Sequence, residues 1–222
     1  MQMRVLILLL HIKLEDLVPD VVVEIQGAPS FTIIHSLRRA ASELCERTLI
    51  WEQSEDTLDL FAGEVEHDLP IPRNAELVQL ISVSRKGVEL TPITVRKMYQ
   101  QQGDPTDQTR WATPTYYSTD SILTTRMSPI PLINEELECR MALKPKQTAT
   151  TIPYELGVRW RTAIETGAKH FLCMMANTEW YDANRAVYYR QLFDRELGRA
   201  KVAQMQGYDS TNLRVKSVRF GA

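Results

Sequence analysis

Residues 152–173 read IPYELGVRWRTAIETGAKHFLC, and this stretch decides the fold. Pro153 lacks an amide hydrogen, a loss that costs nothing in the first turn of a helix, and Glu155 brings negative charge to the positive end of the helix dipole. Downstream, Leu156, Trp160, Ala163, Ile164, Gly167, Phe171 and Met174 recur at three- and four-residue spacing, the pattern of a helix with one apolar stripe. Gly167 stands inside that stripe. A mid-helix glycine costs about 1 kcal/mol relative to alanine, so its place beside Ala163 and Ala168 implies close approach of another helix, from the same chain or from a neighbouring copy.

Towards the C-terminus, a break near Asn177 separates this helix from a second one with Ala183, Ala186, Tyr189, Phe193, Leu197 and Ala200 on its inner face. The pair reads as an αα-hairpin, with Gly207 closing its last turn. Residues 208–222 lose helical periodicity and turn basic through Arg214, Lys216 and Arg219, which predicts an extended tail. At the other end, Asp16 is placed to cap a short helix with Pro19 in its first turn, running to Gly27. Ser30 then reads as the cap of a longer helix buried through Ile33, Ile34, Leu37, Ala41, Leu44 and Cys45. The opposite face of that helix carries Arg39, Glu43 and Arg47 at four-residue spacing, a solvated or inter-subunit face.

Between these helices, residues 51–145 fall into short runs broken by Pro, Gly and Asn, the signature of strands. Leu58 and Leu60 alternate with acids. Residues 77–83 are apolar and β-branched, and Arg85-Lys86-Gly87 after them supplies a hairpin turn. Residues 94–102 have helical composition, 103–107 form a loop, and 116–117, 122–126 and 136–143 complete the strand candidates. The predicted fold is therefore α+β: a helical bundle from N- and C-terminal helices (1–53 and 148–206), an inserted small β-rich module (54–147) and an extended C-terminal tail (207–222).

A chain of 222 residues that is 44% hydrophobic and 24% charged lies outside the disordered regime and can bury its own core. Its net charge of −2 argues against binding duplex DNA by phosphate neutralisation. Cys45, Cys139 and Cys173 are far apart, without CxxC spacing, and read as free thiols in a reducing compartment. The run Val5-Leu6-Ile7-Leu8-Leu9-Leu10 lacks a small-x-small cleavage site and is too short to span a bilayer, so it reads as a buried strand or interface segment.

Three places in the sequence hold residue types suited to chemistry. Cys173 with His170, and His67 after folding, form the best nucleophile candidate, but Leu172, Met174 and Met175 give the thiol an apolar setting that raises its pKa. Glu64-Val65-Glu66-His67-Asp68 holds metal-ligand types, yet strand alternation turns His67 away from the acids, leaving a solvated strand edge as the better reading. Trp160 and Trp180 belong with core packing, whereas Trp111 suits an interface. Phosphate-loop, dinucleotide and hydrolase motifs are missing. No catalytic residue, cofactor or metal is expected; the alternatives are a small intracellular hydrolase using Cys173 or a metal near His67, and a non-viral interaction module.

One resemblance covers most of the chain, and least the stretch 101–119. The succession Leu143-Lys144-Pro145, Ile152-Pro153, Trp160, Ala163-Ile164, Gly167-Ala168, Leu172, Trp180-Tyr181-Asp182, Ala186, Tyr189 and Phe193 resembles the C-terminal half of tailed-phage head-to-tail adaptor proteins. Leu17-Val18-Pro19-Asp20-Val21, Gly27-Ala28-Pro29, Leu37-Arg38-Arg39-Ala40-Ala41 and Leu44-Cys45-Glu46-Arg47-Thr48 are similar to the opening helices of the same group. The resemblance implies a structural virion protein of the neck, assembled in the host cytoplasm. It would form a ring of twelve copies between the portal protein and the tail nozzle or tail-tube proteins, through which genomic DNA passes without sequence-specific binding and with no membrane involved. On that reading Arg214, Lys216, Arg219 and Phe220 are the portal contact, and Arg85, Lys86, Arg39, Glu43 and Arg47 meet the tail or a neighbouring subunit.

Overall fold

The computed structural model describes residues 11–101 and 106–207. The described residues begin with strand β1 (His11–Lys13), a 3₁₀ turn (Leu14–Leu17) and the short helix α1 (Val18–Val22), so Asp16 lies within the turn instead of capping the helix. Gly27, at φ +86°, redirects the chain into α2 (Ser30–Thr48). Pro29 takes the cap position that was expected of Ser30. Ile33, Leu37, Ala41, Leu44 and Cys45 are buried on α2 as their spacing predicts, together with Ala40.

The strands follow: β2 (Glu52–Leu60), β3 (Glu66–Asp68), β4 (Ala75–Arg85), β5 (Val88–Glu89) and β6 (Thr91–Pro92). After helix α3 (Val95–Gln101) come β7 (Tyr116–Ser118), β8 (Thr124–Ser128), β9 (Glu135–Pro145) and β10 (Thr151–Pro153). The last described elements are α4 (Tyr154–Arg159), α5 (Arg161–Cys173) and α6 (Ala183–Gln206). One sheet has the order β2-β9-β4-β5, a second β3-β8-β7-β6, and β1 pairs with β10 in a third. All of the pairings are antiparallel except β6 with β7.

These strands correct the expected fold class. The terminal helices do not form a bundle with a small β module inserted: strands occupy two four-stranded sheets, a third sheet lies among the terminal helices, and α3 sits among the strands. Two physical features hid this from the sequence. β4 carries register shifts between Leu77 and Gln79 and between Leu80 and Ser82, each of which reverses the face on which alternation is read. In β9, Met141, Ala142 and Leu143 are all buried, because the sheet packs against its own core on one side and α2 approaches β9 as well. A strand covered on both faces loses its alternation.

Two apolar clusters result. Leu14, Leu17, Leu37, Ile164, Phe193 and Leu197 belong to one, formed by the terminal segments; Leu58, Val83, Met127, Leu137 and Met141 belong to the other, formed by the strands. Trp51 packs against both. Further ties cross between them: Arg38 Nε donates to Ala149 O at 2.7 Å, Ser42 Oγ to Pro145 O at 3.1 Å, and Lys144 pairs with Glu46.

The helix predicted from Pro153 onwards divides at Trp160 (φ −111°, ψ 20°) into α4 and α5, with Trp160 itself in the core. Because α5 ends at Cys173, Met174 points outwards and Met175 takes its place against the core. Gly167 is approached from within the chain by Ala40 of α2 and Phe193 of α6. Asp182 caps α6, its carboxylate accepting from Arg185 N–H, and Gly207 at φ +64° ends it. The apolar run 5–10 and the tail beyond Gly207 lie outside the described residues.

Candidate functional site

The charged face of α2 meets α6 at Glu43 and Arg47, and α5 at Arg39. Arg47 Nη1 lies 3.2 Å from Glu43 Oε1 and 2.9 Å from Asp194 Oδ1; Arg190 lies 2.9 Å from Glu43 and 3.0 Å from Asp194. Partial burial opposes ionisation of Asp194, but hydrogen bonds from Arg190 and Arg47 hold its carboxyl below the usual range. Arg39 places its guanidinium carbon 4.0 Å from the centroid of the Phe171 ring, a cation–π contact. Arg39, Glu43 and Arg47 therefore hold helices together within the chain, and what remains open to a neighbour is the exposed part of Arg39 and the outer side of the Arg47–Asp194 network, where both side chains are over two-fifths exposed. The sequence reading missed Arg190 and Asp194. Their four-residue spacing on the second helix was the available signal.

Arg85 and Lys86 lie elsewhere. Lys86 (φ 51°) and Gly87 (φ 80°) both adopt positive φ, the type I′ geometry that closes a two-residue hairpin between β4 and β5. Arg85 Nε pairs with Glu135 Oε2 at 2.7 Å, which orients the hairpin against β9 and leaves Lys86 and Val88 exposed at its tip. In the β4–β9 register, Ala75 opposes Pro145 and Ser84 opposes Glu138. The hairpin thus stands at the end of the sheet opposite the one that touches α2, and the structure does not gather the five residues into one site. Arg214, Lys216, Arg219 and Phe220 lie outside the described residues.

The chemical candidates are structural in this geometry. Cys173 is buried, and burial pushes its thiol upwards. His170 Nδ1 lies 2.9 Å from the carbonyl of Ala186, to which it donates across to α6. On β3, Glu66 and Asp68 face outwards and His67 inwards, as alternation predicts. Burial lowers the pKa of His67; its Nδ1 accepts from Phe61 N–H at 3.5 Å, and its Nε2 has no hydrogen-bond partner among the described residues. Among the described residues, no group of three or more His, Cys, Asp or Glu is placed to hold a metal ion.

A cleft of about 500 Å³ runs between the β4 edge and the segment around β7, lined by Leu77, Ile81, Ile93, Tyr117, Asp120 and Ile122. Its carboxylate is committed. Asp120 accepts from Arg126 Nε at 3.0 Å and Tyr99 Oη at 3.1 Å, and these bonds hold it ionised against the opposing effect of burial. Trp111, read as an interface residue, packs on Gly63, where a β-carbon would lie 2.6 Å from the indole. Among the described residues, no helix is long and apolar enough to cross a membrane.

Compared with families of known proteins, residues 12–216 match the one described as SU10 adaptor protein. No curated protein matches the chain.

Proposed function

The chain belongs to the SU10 adaptor protein family, a structural family of phage head-to-tail adaptors, and from that premise we propose that it forms a twelve-copy ring in the virion neck. The ring joins the portal protein to the tail nozzle or tail-tube proteins and lines part of the channel for DNA ejection. The observation that carries this reading is the extent of the match, which runs through both apolar clusters. A near-neutral chain also suits a channel that DNA must traverse without sticking. Assembly takes place in the host cytoplasm. The chain divides functionally into paired terminal segments 1–53 and 148–206, a strand-rich segment 54–147 and a tail 207–222.

Within that division, Arg214, Lys216, Arg219 and Phe220 dock on the portal, and the Lys86 hairpin with the open side of Arg39, Glu43 and Arg47 meets the tail or the next copy. Basic, extended segments that order on binding are suited to such docking, and repetition around a ring multiplies weak contacts. Electron micrographs of the full-length protein mixed with its portal protein test the reading: rings capping the portal are expected, and their absence would overturn it. A chain ending at Gly207 should lose portal binding, and undiminished binding would remove the tail assignment alone.

A further inference from the structure

Three glycines lie inside the C-terminal helices, and two have a reason within the chain: Gly157 is approached by Ile12, and Gly167 by Ala40 and Phe193. Gly198 sits in the middle of the 24-residue α6, where an added β-carbon would meet no atom within 4 Å. Glycine is the poorest helix former after proline, and nothing among the described residues requires it here. Positions in line with it on the helix surface are Val187, Gln191, Asp194, Val202 and Met205. The three apolar ones are half or more exposed, at 59%, 50% and 66%, while Ala186, Phe193, Leu197 and Ala200 on the other side fill the core. Arg195, Arg199 and Lys201 flank the stripe and are exposed, and Glu196 among them is buried. The outer face of α6 thus carries exposed apolar side chains, a notch at Gly198, and beside the notch Arg195 and Lys201 against one exposed acid, Asp194, which is paired with Arg47 and Arg190.

A surface of opposite character lies at the start of the chain. Residues 14–26, LEDLVPDVVVEIQ, hold four acids and no base. Asp20 and Glu24 are tied to Arg161 and Lys169, whereas Glu15 and Asp16 are exposed, as are Val22 and Val23 on the same segment. The segment is acidic with exposed valines, the complement of the α6 stripe in both charge and polarity.

We infer that the outer stripe of α6 packs against the acidic α1 segment of a second copy, with Gly198 admitting close backbone approach. The inference rests on the ring reading above. Two different surfaces in contact make a heterologous interface, the kind that closes into a ring by rotation. Removing the side chain at the centre lets the flanking valines and Met205 reach the partner, while Arg195 and Lys201 meet Glu15 and Asp16.

Gly198→Leu separates the two roles of the position, because a side chain there has room in the lone subunit and improves the helix. Its thermal midpoint in the unassembled chain should equal or exceed that of the unmodified protein, while ring formation with portal weakens about tenfold or more. Ring formation equal to that of the unmodified protein would overturn the inference. A second pair of variants is independent of helix propensity: Arg195→Glu with Lys201→Glu should weaken assembly, and adding Glu15→Lys with Asp16→Lys to the same chain should restore it. Failure of the restoration also counts against the interface. If the unmodified protein forms no ring at all, the ring reading itself fails, an outcome recognisable without either variant.

Discussion

Gly167 and Ala40 face each other so closely that a β-carbon on Gly167 would lie 2.8 Å from the Ala40 methyl, and 3.1 Å from the edge of the Phe193 ring. Neither neighbour is the far end of a flexible side chain. Gly167→Ala gains about 1 kcal/mol of helix propensity but overpacks the junction of three helices, which costs about 1–3 kcal/mol. A net loss of about 1 kcal/mol is expected in urea unfolding of the isolated chain. Gly198→Ala in the same assay should move the other way, since nothing opposes its side chain.

Cys45, Cys139 and Cys173 are buried, and burial drives the Cys139 thiol up to about 12 and the other two upwards as well. Thiolate is the reactive form. Iodoacetamide at neutral pH should leave all three unmodified in the native protein and label them in denaturant, as read by intact mass. Rapid labelling of native Cys173 would revive it as a nucleophile.

Burial holds the His67 pKa below its ordinary value of 6.5. The folded chain therefore binds fewer protons at this position than the unfolded chain. Stability is unaffected above the ordinary value and falls as pH drops from there through the lower folded pKa. His67→Gln should remove that portion of the pH dependence in denaturation curves between neutral and mildly acidic pH; an unchanged profile would show that the ring takes up its proton without cost.

Lys169 is buried and lies 2.6 Å from Glu24, which also accepts from Tyr189 Oη at 2.6 Å. The Lys169 and Tyr189 hydrogen bonds hold the Glu24 carboxyl below its usual range. This contribution is complete above the ordinary carboxylate value and is lost as pH falls through the lower folded value. Glu24→Gln strands a buried ammonium, but the Glu24 side chain is 46% exposed, so solvent screening limits the expected loss to about 1–2 kcal/mol at neutral pH. Unfolding measured at pH 7 and pH 3 should show the difference between the two proteins shrink at the lower pH.

The terminal helices were legible because their apolar stripes follow one period: Ile33 to Cys45 and Ala186 to Ala200 needed only spacing. The sheets were less so. Bulges near Gln79 and Ser82 reverse alternation in mid-strand, and pairings such as Asp56 with Cys139 join residues distant in sequence. The site shows the same division. Arg85-Lys86-Gly87 announced its turn through local backbone chemistry, whereas the commitment of Arg47 to Asp194, across 147 positions, follows from how α2 and α6 pack and not from either helix alone.

β9 lies between β2 and β4 and ends at Pro145, whose carbonyl accepts from Ser42 of α2. A pull along this strand loads its hydrogen bonds to both flanking strands at once, in shear, instead of opening them one after another. The same strand carries Lys144, paired with Glu46 on α2, so tension applied at the far end of the sheet passes into a long helix through side chains as well as the backbone. β9 is thus held along both edges and at its end, by two strands and by α2.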